Sequence, residues 1–325
     1  MKALIKQLKF ELEKNIYNSE NIIETIFIGG GTPSTIKIDE YKELFKVLSP
    51  YITNTKEITI EANPNSATKE WLKGIFDLGV NRISFGVQSF DDKKLKFLNR
   101  SHNNKMAISA IQNASCIGFN HINCDIIYGT ALDTKELLLN DLDIISSLPI
   151  DHVSAYDLTI EEGTYFYNKP EVKKDSLKLA NLVFDKLNDF GFKQYEISNF
   201  SKNDEACSKH NLGYWEYKAY LGIGAGAVGC VDNVRFYPPK SIEQYIKNPI
   251  EYDIEKLSKE DIRIEKILLG LRSKVGVDLS VFLESELKKV EYLIDEKKLI
   301  IIDNFIYNSD YLLADEIALY ITQEL

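Results

Sequence analysis

From residue 25 to about residue 200 the chain alternates short strand-like runs with amphipathic helical stretches, and few folds tolerate that rhythm. The strand candidates are residues 25–28, 57–61, 82–87, 122–127, 153–158 and 194–197. Helical patterns lie between them at 68–78, 105–116, 135–147 and 173–190. The last of these places Leu177, Leu179, Leu182, Val183 and Leu187 on one buried stripe, with lysines and acids outside. Regular βα alternation implies an α/β fold around a parallel sheet, either open or closed into a barrel.

The rhythm breaks at Pro238-Pro239. Residues 256–325 then read as helices with one late strand or hairpin at 299–307. Two domains are therefore expected, 1–237 and a smaller 238–325. Residues 1–14 read as a helix with Leu4, Ile5, Leu8 and Leu12 on one face, and no strand precedes it. A sheet of this kind normally opens on a strand, so the chain reads as starting one element late.

Composition narrows the function classes. The 325 residues are 44% hydrophobic, enough for a globular core rather than a disordered chain. A formal net charge of −10, with lysines scattered among acids, excludes a generic nucleic-acid binder. No apolar run reaches membrane-span length and no signal-peptide pattern opens the chain, so a cytoplasmic protein is expected. Cys116, Cys124, Cys207 and Cys230 contain no CxxC pair, which fits neither a zinc ribbon nor a disulfide scaffold. Cys116 and Cys124 are expected to be small buried hydrophobes.

The most informative segment is TIFIGGGTP at residues 25–33. Ile26, Phe27 and Ile28 read as a buried parallel strand; Gly29, Gly30 and Gly31 allow the backbone to approach a ligand; Thr32 adds a hydroxyl and Pro33 stops the strand. Such a loop presents backbone N–H and C=O groups at the carboxyl end of a strand, where α/β folds place their sites. Other polar residues fall at strand ends too. Glu61 closes ITIEANP, Gln88 follows SFGVQSF, Arg100 sits in LKFLNRSH and Asp125 lies within HINCDIIYG. A rim with carboxylates, an arginine and bare backbone suits a ligand carrying both amino and carboxylate groups, the arginine forking onto the carboxylate.

These segments resemble the radical S-adenosylmethionine (SAM) proteins, in particular the oxygen-independent coproporphyrinogen oxidase-like group and its haem chaperones of the HemW type. FIGGGTPS, EITIEANP, GVNRISFGVQSFDDKKLKFLNRSH, INCDIIYG, LTIEEGTYFY, HNLGYW, YLGIGAGAVG and EKILLGLRSKVGVDL carry the resemblance, which covers nearly the whole chain. It implies a partial (β/α)6 barrel followed by a helical or winged domain. It also implies a SAM pocket lined by Gly30, Gly31, Thr32, Glu61, Gln88, Arg100 and Asp125. His210, Asn211, Tyr214 and Trp215 match the HNxxYW motif that separates the haem chaperones from the oxidases, and so imply a haem site with His210 as candidate iron ligand. Cys207, three residues earlier, is an alternative ligand. His102 is expected to orient Arg100; His121 and His152 have no assigned role.

The chain also departs from the family. The defining CxxxCxxC, whose thiolates hold a 4Fe–4S cluster, is absent, and the four cysteines lie too far apart to replace it. The missing strand and the missing thiolates read as one absence, with truncation favoured over natural loss. Radical chemistry is not expected without that segment. The barrel would then lack its first strand and leave residues 25–28 as an uncovered edge, inviting association such as a homodimer. YGTALDT replaces the usual YGLPGQT, and Val228 replaces a histidine in GAGAVG.

The leading expectation is a haem chaperone that delivers haem to respiratory or other haem proteins, membrane-associated clients among them. The alternative is oxidative decarboxylation of coproporphyrinogen III. A third reading, a barrel enzyme cradling phosphate at a helix N-terminus, lacks a lysine in the loop.

Overall fold

The computed structural model describes residues 1–15, 23–163, 165–174 and 177–323. Thr164 of the LTIEEGTYFY segment and residues 175–176 of the expected 173–190 helix lie outside the described residues. The chain divides into two compact units. The first, here the sheet unit, comprises Thr25–Lys42 and Lys56–Cys207. The flanking unit comprises Met1–Glu24, Glu43–Thr55 and Ser208–Leu325, so residue 238 falls inside it.

The sheet unit holds β1 (Thr25–Ile28), β2 (Glu57–Ala62), β3 (Arg82–Gln88), β4 (His121–Tyr128), β5 (His152–Asp157), β6 (Lys193–Gln194) and β7 (Asn199–Ser201). Their order is β1-β2-β3-β4-β5-β7-β6. The first five are parallel. The helices Lys69–Asp77, Asn104–Ile117 and Lys135–Ser147 form the crossovers and start on side-chain caps at Thr68, Asn103 and Thr134.

One expectation is corrected here. Residues 194–197 do not form a sixth parallel strand. They run into the turn between β6 and β7, closed by the Tyr195 N–H bonding Asn199 O, and β7 pairs antiparallel with both β5 and β6. Tyr195 is buried in this turn, with its hydroxyl on His152, and Glu196 beside it is buried as well.

The strands bury two different faces. Ile58, Ile60, Ile83, Phe85, Ile122, Cys124, Val153 and Ala155 make one face, almost wholly buried and apolar. The intervening positions are polar: Thr59 and Glu61, Ser84, Asn123 and Asp125, His152 and Ser154. Side chains alternate between faces along a strand, so this sheet has an oily outer side and a hydrogen-bonded inner side.

The flanking unit carries two three-stranded sheets. One is β10-β9-β8, from β8 (Gly229–Val231), β9 (Val234–Tyr237) and β10 (Asp253–Lys256). The other is β11-β13-β12, from β11 (Val277–Asp278), β12 (Leu299–Ile302) and β13 (Phe305–Asn308). The β12–β13 hairpin is the one read from the sequence; Asp303 and Asn304 both take positive φ, as a two-residue hairpin turn requires. Ile267, Leu271, Val277, Val290, Leu293, Leu299, Ile306, Ile317 and Ile321 form its core. The glycine-rich run 222–229 is clamped by the fully buried Gln7, whose amide donates to Gly222 O and accepts from Gly224 N–H. No helix among the described residues is long and apolar enough to cross a membrane.

Candidate functional site

The glycine loop leaves β1 with Gly30 at φ +78° and Gly31 at φ +58°, and open space surrounds both Cβ positions. L side chains rarely adopt that backbone, so the loop stays bare. Gly29 is tight for another reason: a Cβ there would lie 2.7 Å from the Phe27 ring and 3.0 Å from the Glu61 carboxylate. The Glu61 Oε2 accepts the Gly30 N–H at 3.1 Å, tying the loop to the end of β2. Burial raises the Glu61 carboxyl, and the Gly30 bond partly opposes this. Thr32 accepts from Thr35 at the start of the short turn Pro33–Thr35, and Tyr41 donates to Pro33 O.

Gln88 ends β3 at φ +70°, an unusual conformation for a side-chain-bearing residue. Its Oε1 is buried without a hydrogen-bond donor. The following loop is fixed by Asp141, whose carboxylate accepts from Ser89 Oγ at 2.6 Å and from Phe90 N–H at 2.8 Å. Asp125 on β4 accepts from Asn123 Nδ2 at 2.6 Å and lies 3.3 Å from Ser84 Oγ. Burial pushes its carboxyl up to about 6, against the pull of these hydrogen bonds. Arg100 is half-buried, and no side-chain hydrogen bond or ion pair engages its guanidinium among the described residues. Burial lowers its pKa, while the charge of Asp125 raises it.

The sheet unit therefore gathers the glycine loop with Glu61, and Arg100 with Asp125. A carboxylate pair, an unpaired guanidinium and an orphaned Gln88 carbonyl can receive an ammonium or hydroxyl donor and fork onto a ligand carboxylate. His102 does not touch Arg100 through a hydrogen bond; its Nε2 bonds Val87 O at 2.9 Å and secures the end of β3.

Sequence reasoning missed the layer beneath this rim. His152 bonds Asn123 Oδ1 at 2.6 Å through Nδ1 and the Tyr195 hydroxyl at 2.7 Å through Nε2, and Asn123 in turn holds Asp125. Burial keeps His152 well below its usual pKa and so neutral. Glu196 was missed as well: it is 1% exposed, its Oε1 has no hydrogen-bond donor, and burial pushes its carboxyl up to about 7. The signal for the layer was the polar residue at every second position of RISFG, HINCD and HVSAY.

In the flanking unit, HNLGYW forms the helix Lys209–Trp215, capped by Ser208 Oγ accepting the Asn211 N–H at 3.2 Å. His210 and Tyr214 stand one turn apart, Nε2 to hydroxyl 3.1 Å and rings edge-to-face at 5.0 Å. Burial raises the Tyr214 phenol, so it stays protonated. The Trp215 Nε1 is buried with no acceptor among the described residues. Two cysteine expectations are corrected. Cys207 precedes the helix and is 1% exposed, its Sγ 3.1 Å from Ser201 Oγ, so its thiol is not presented to a ligand. Cys116 is exposed rather than buried, because it falls on the outer side of its helix.

No group of three His, Cys, Asp or Glu side chains among the described residues can hold a metal ion. The four thiols are separate and do not form a cluster-binding set.

Comparison with known proteins then fixes the class. Residues 6–144 match the radical SAM superfamily. The solved structure of the Escherichia coli coproporphyrinogen III oxidase HemN, a radical SAM enzyme, superposes with a TM-score of 0.81 over 100% of this chain and 82% of that one, at 20% identity. That likeness establishes an α/β radical SAM fold. Sequence places the chain more closely. The haem chaperone HemW of Bacillus subtilis is 35% identical over 278 residues, 81% of this chain and 73% of the relative. HemW of Lactococcus lactis is 33% identical, covering 87% of this chain and 76% of the relative. The chain belongs to the HemW family.

Proposed function

We propose that this protein is a haem chaperone, binding haem through the helix Lys209–Trp215 and passing it to haem proteins. The observation that carries the reading is the pairing of His210 with Tyr214 on one helix face. An imidazole is a common axial ligand of haem iron, and Tyr214 and Trp215 bring aromatic surface and a polar handle beside it. The identity to HemW chaperones supports the same reading. Respiratory haem proteins are the proposed clients and the cytoplasm the proposed compartment, in keeping with four free thiols.

The rim of the sheet unit is proposed to bind SAM. Arg100 would take its carboxylate, and Glu61, Asp125 and the Gly30–Thr32 backbone its amino and hydroxyl groups, the nearby carboxylates favouring its sulfonium charge. A 4Fe–4S cluster does not fit the thiols of this chain, so the activity argued from these residues is haem carriage. Coproporphyrinogen oxidation has only a fold likeness at 20% identity behind it.

Hemin titration followed in the Soret band tests the reading. Wild type is expected to give a saturable shift, and His210→Ala to lose or displace it, weakening binding by about tenfold. An unchanged spectrum and affinity in His210→Ala would remove His210 from the site.

A further inference from the structure

The flanking unit contains a cavity of about 340 Å³, and of the HNLGYW residues only Tyr214 lines it. Its lining includes Tyr214, Tyr220, Leu268 and Leu269, together with the exposed Ala219 and the half-buried Cys230. Tyr214 and Tyr220 meet edge-to-face with centroids 4.8 Å apart. Tyr220 and Cys230 are locked together by two backbone hydrogen bonds of 2.9 and 2.8 Å, so the wall is rigid. The frame is built at a cost. Tyr217 sits at φ +59°, a strained conformation for a bulky residue, and is held there by its hydroxyl donating to Glu265 at 2.7 Å.

The cations in the lining of this cavity are already paired. Arg235 forks onto both oxygens of Glu265 at 2.7 and 2.8 Å. Lys218 pairs with Glu216 and Glu24. With no unpaired cation in the lining, the cavity is a poor phosphate or carboxylate site and a good one for a flat apolar ring edge. Its volume is at the low end for small-molecule sites, so a macrocycle would be only partly enclosed. Partial enclosure suits cargo that has to leave again.

We propose that this cavity takes the apolar edge of the porphyrin, its methyl and vinyl groups, and leaves the propionates outside. Tyr214 is the link, since it both bonds His210 and walls the cavity. The inference rests on the haem reading above, and the experiment separates the two. Cys230 is half-buried in the lining and Cys116 is exposed on the sheet unit, which makes one a reporter and the other an internal control.

The protein is alkylated with and without saturating hemin, and each cysteine is quantified by peptide mass spectrometry; hemin affinity is then measured for Ala219→Trp, a substitution at an exposed position. Bound hemin should slow Cys230 labelling by about tenfold and leave Cys116 unchanged, and Ala219→Trp should weaken hemin about tenfold while keeping its circular dichroism spectrum. A Soret shift with Cys230 labelled as fast as before, or Ala219→Trp binding like wild type, overturns the cavity assignment and leaves haem binding standing. Absence of any Soret shift in wild type overturns the haem reading and this inference together.

Discussion

The two units differ in how much polar and charged surface they bury. The flanking unit fills its core with Ile267, Leu271, Val277, Val290, Leu293, Leu299 and Ile306, side chains that need no partners. The sheet unit buries Arg82, Lys94, Asn123, Asp133, Asp141, His152 and Glu196, each of which must be hydrogen-bonded or neutralised to be tolerated. An apolar core is the more direct route to stability. A sheet that instead carries a polar inner face, with an orphaned Gln88 oxygen and an unpaired Arg100, is arranged for a polar ligand. In the flanking unit the features proposed to bind haem lie on the helix Lys209–Trp215 and in the cavity that Tyr214 lines.

The comparison can be broken first at its most costly point. Lys94 and Asp133 form an ion pair of 2.6 Å with both side chains fully buried. Lys94→Met leaves the Asp133 carboxylate uncompensated and should cost about 3–5 kcal/mol in denaturant unfolding. That would match or exceed the ~2–5 kcal/mol expected for Ile306→Ala in the apolar core. A neutral Lys94→Met would show that the polar interior is no more demanding than the apolar one.

The pH dependence of stability sharpens the contrast. Burial raises Glu196 to about 7, and Asp125 and Asp141 to about 6, above their ordinary values of 4.5 and 3.8. A carboxyl with a raised folded pKa stabilises the fold below its unfolded pKa, and that stability is lost as pH rises through the folded value. Stability should therefore fall between about pH 4 and 7. Glu196→Gln should be about 1–3 kcal/mol more stable than wild type at pH 8 and close to it at pH 4. Equal stabilities at both pH values would mean that Glu196 is not held neutral by burial.

The smallest expected effect on stability is at Arg100. With no side-chain hydrogen bond or ion pair to lose among the described residues, and only the nearby charge of Asp125 to be left behind, Arg100→Ala should change unfolding free energy by less than ~1 kcal/mol. The same substitution should weaken SAM by at least about tenfold in isothermal titration, the loss of a charge-assisted hydrogen bond. A large loss of stability would recast Arg100 as a structural residue.

Much of this was legible in the sequence, for physical reasons. β1 at 25–28 and the helix at 135–147 fall where the apolar pattern placed them, β1 ending at the glycines and Pro33. Glu61 and Gln88 do lie at the carboxyl ends of β2 and β3, where parallel sheets place sites. The turn at 195–198 was misread because its burial comes from tertiary contacts such as Tyr195 with His152, which no local pattern encodes. The polar layer was missed because polar residues were sought at the strand ends, although Ser84, Asn123 and Ser154 alternate with Ile83, Ile122 and Val153 within the strands. The cavity joins residues 214–235 to 265–269, a pairing set by the fold alone.

The central claim is that haem bound here is carried rather than kept. Protein loaded with one equivalent of hemin, freed of excess and mixed with an apo haem protein, tests it most directly. The account predicts that the Soret band moves to that of the acceptor, faster than hemin is lost to buffer alone. Haem that stays on this chain, or that reaches the acceptor no faster than it dissociates into buffer, would contradict it.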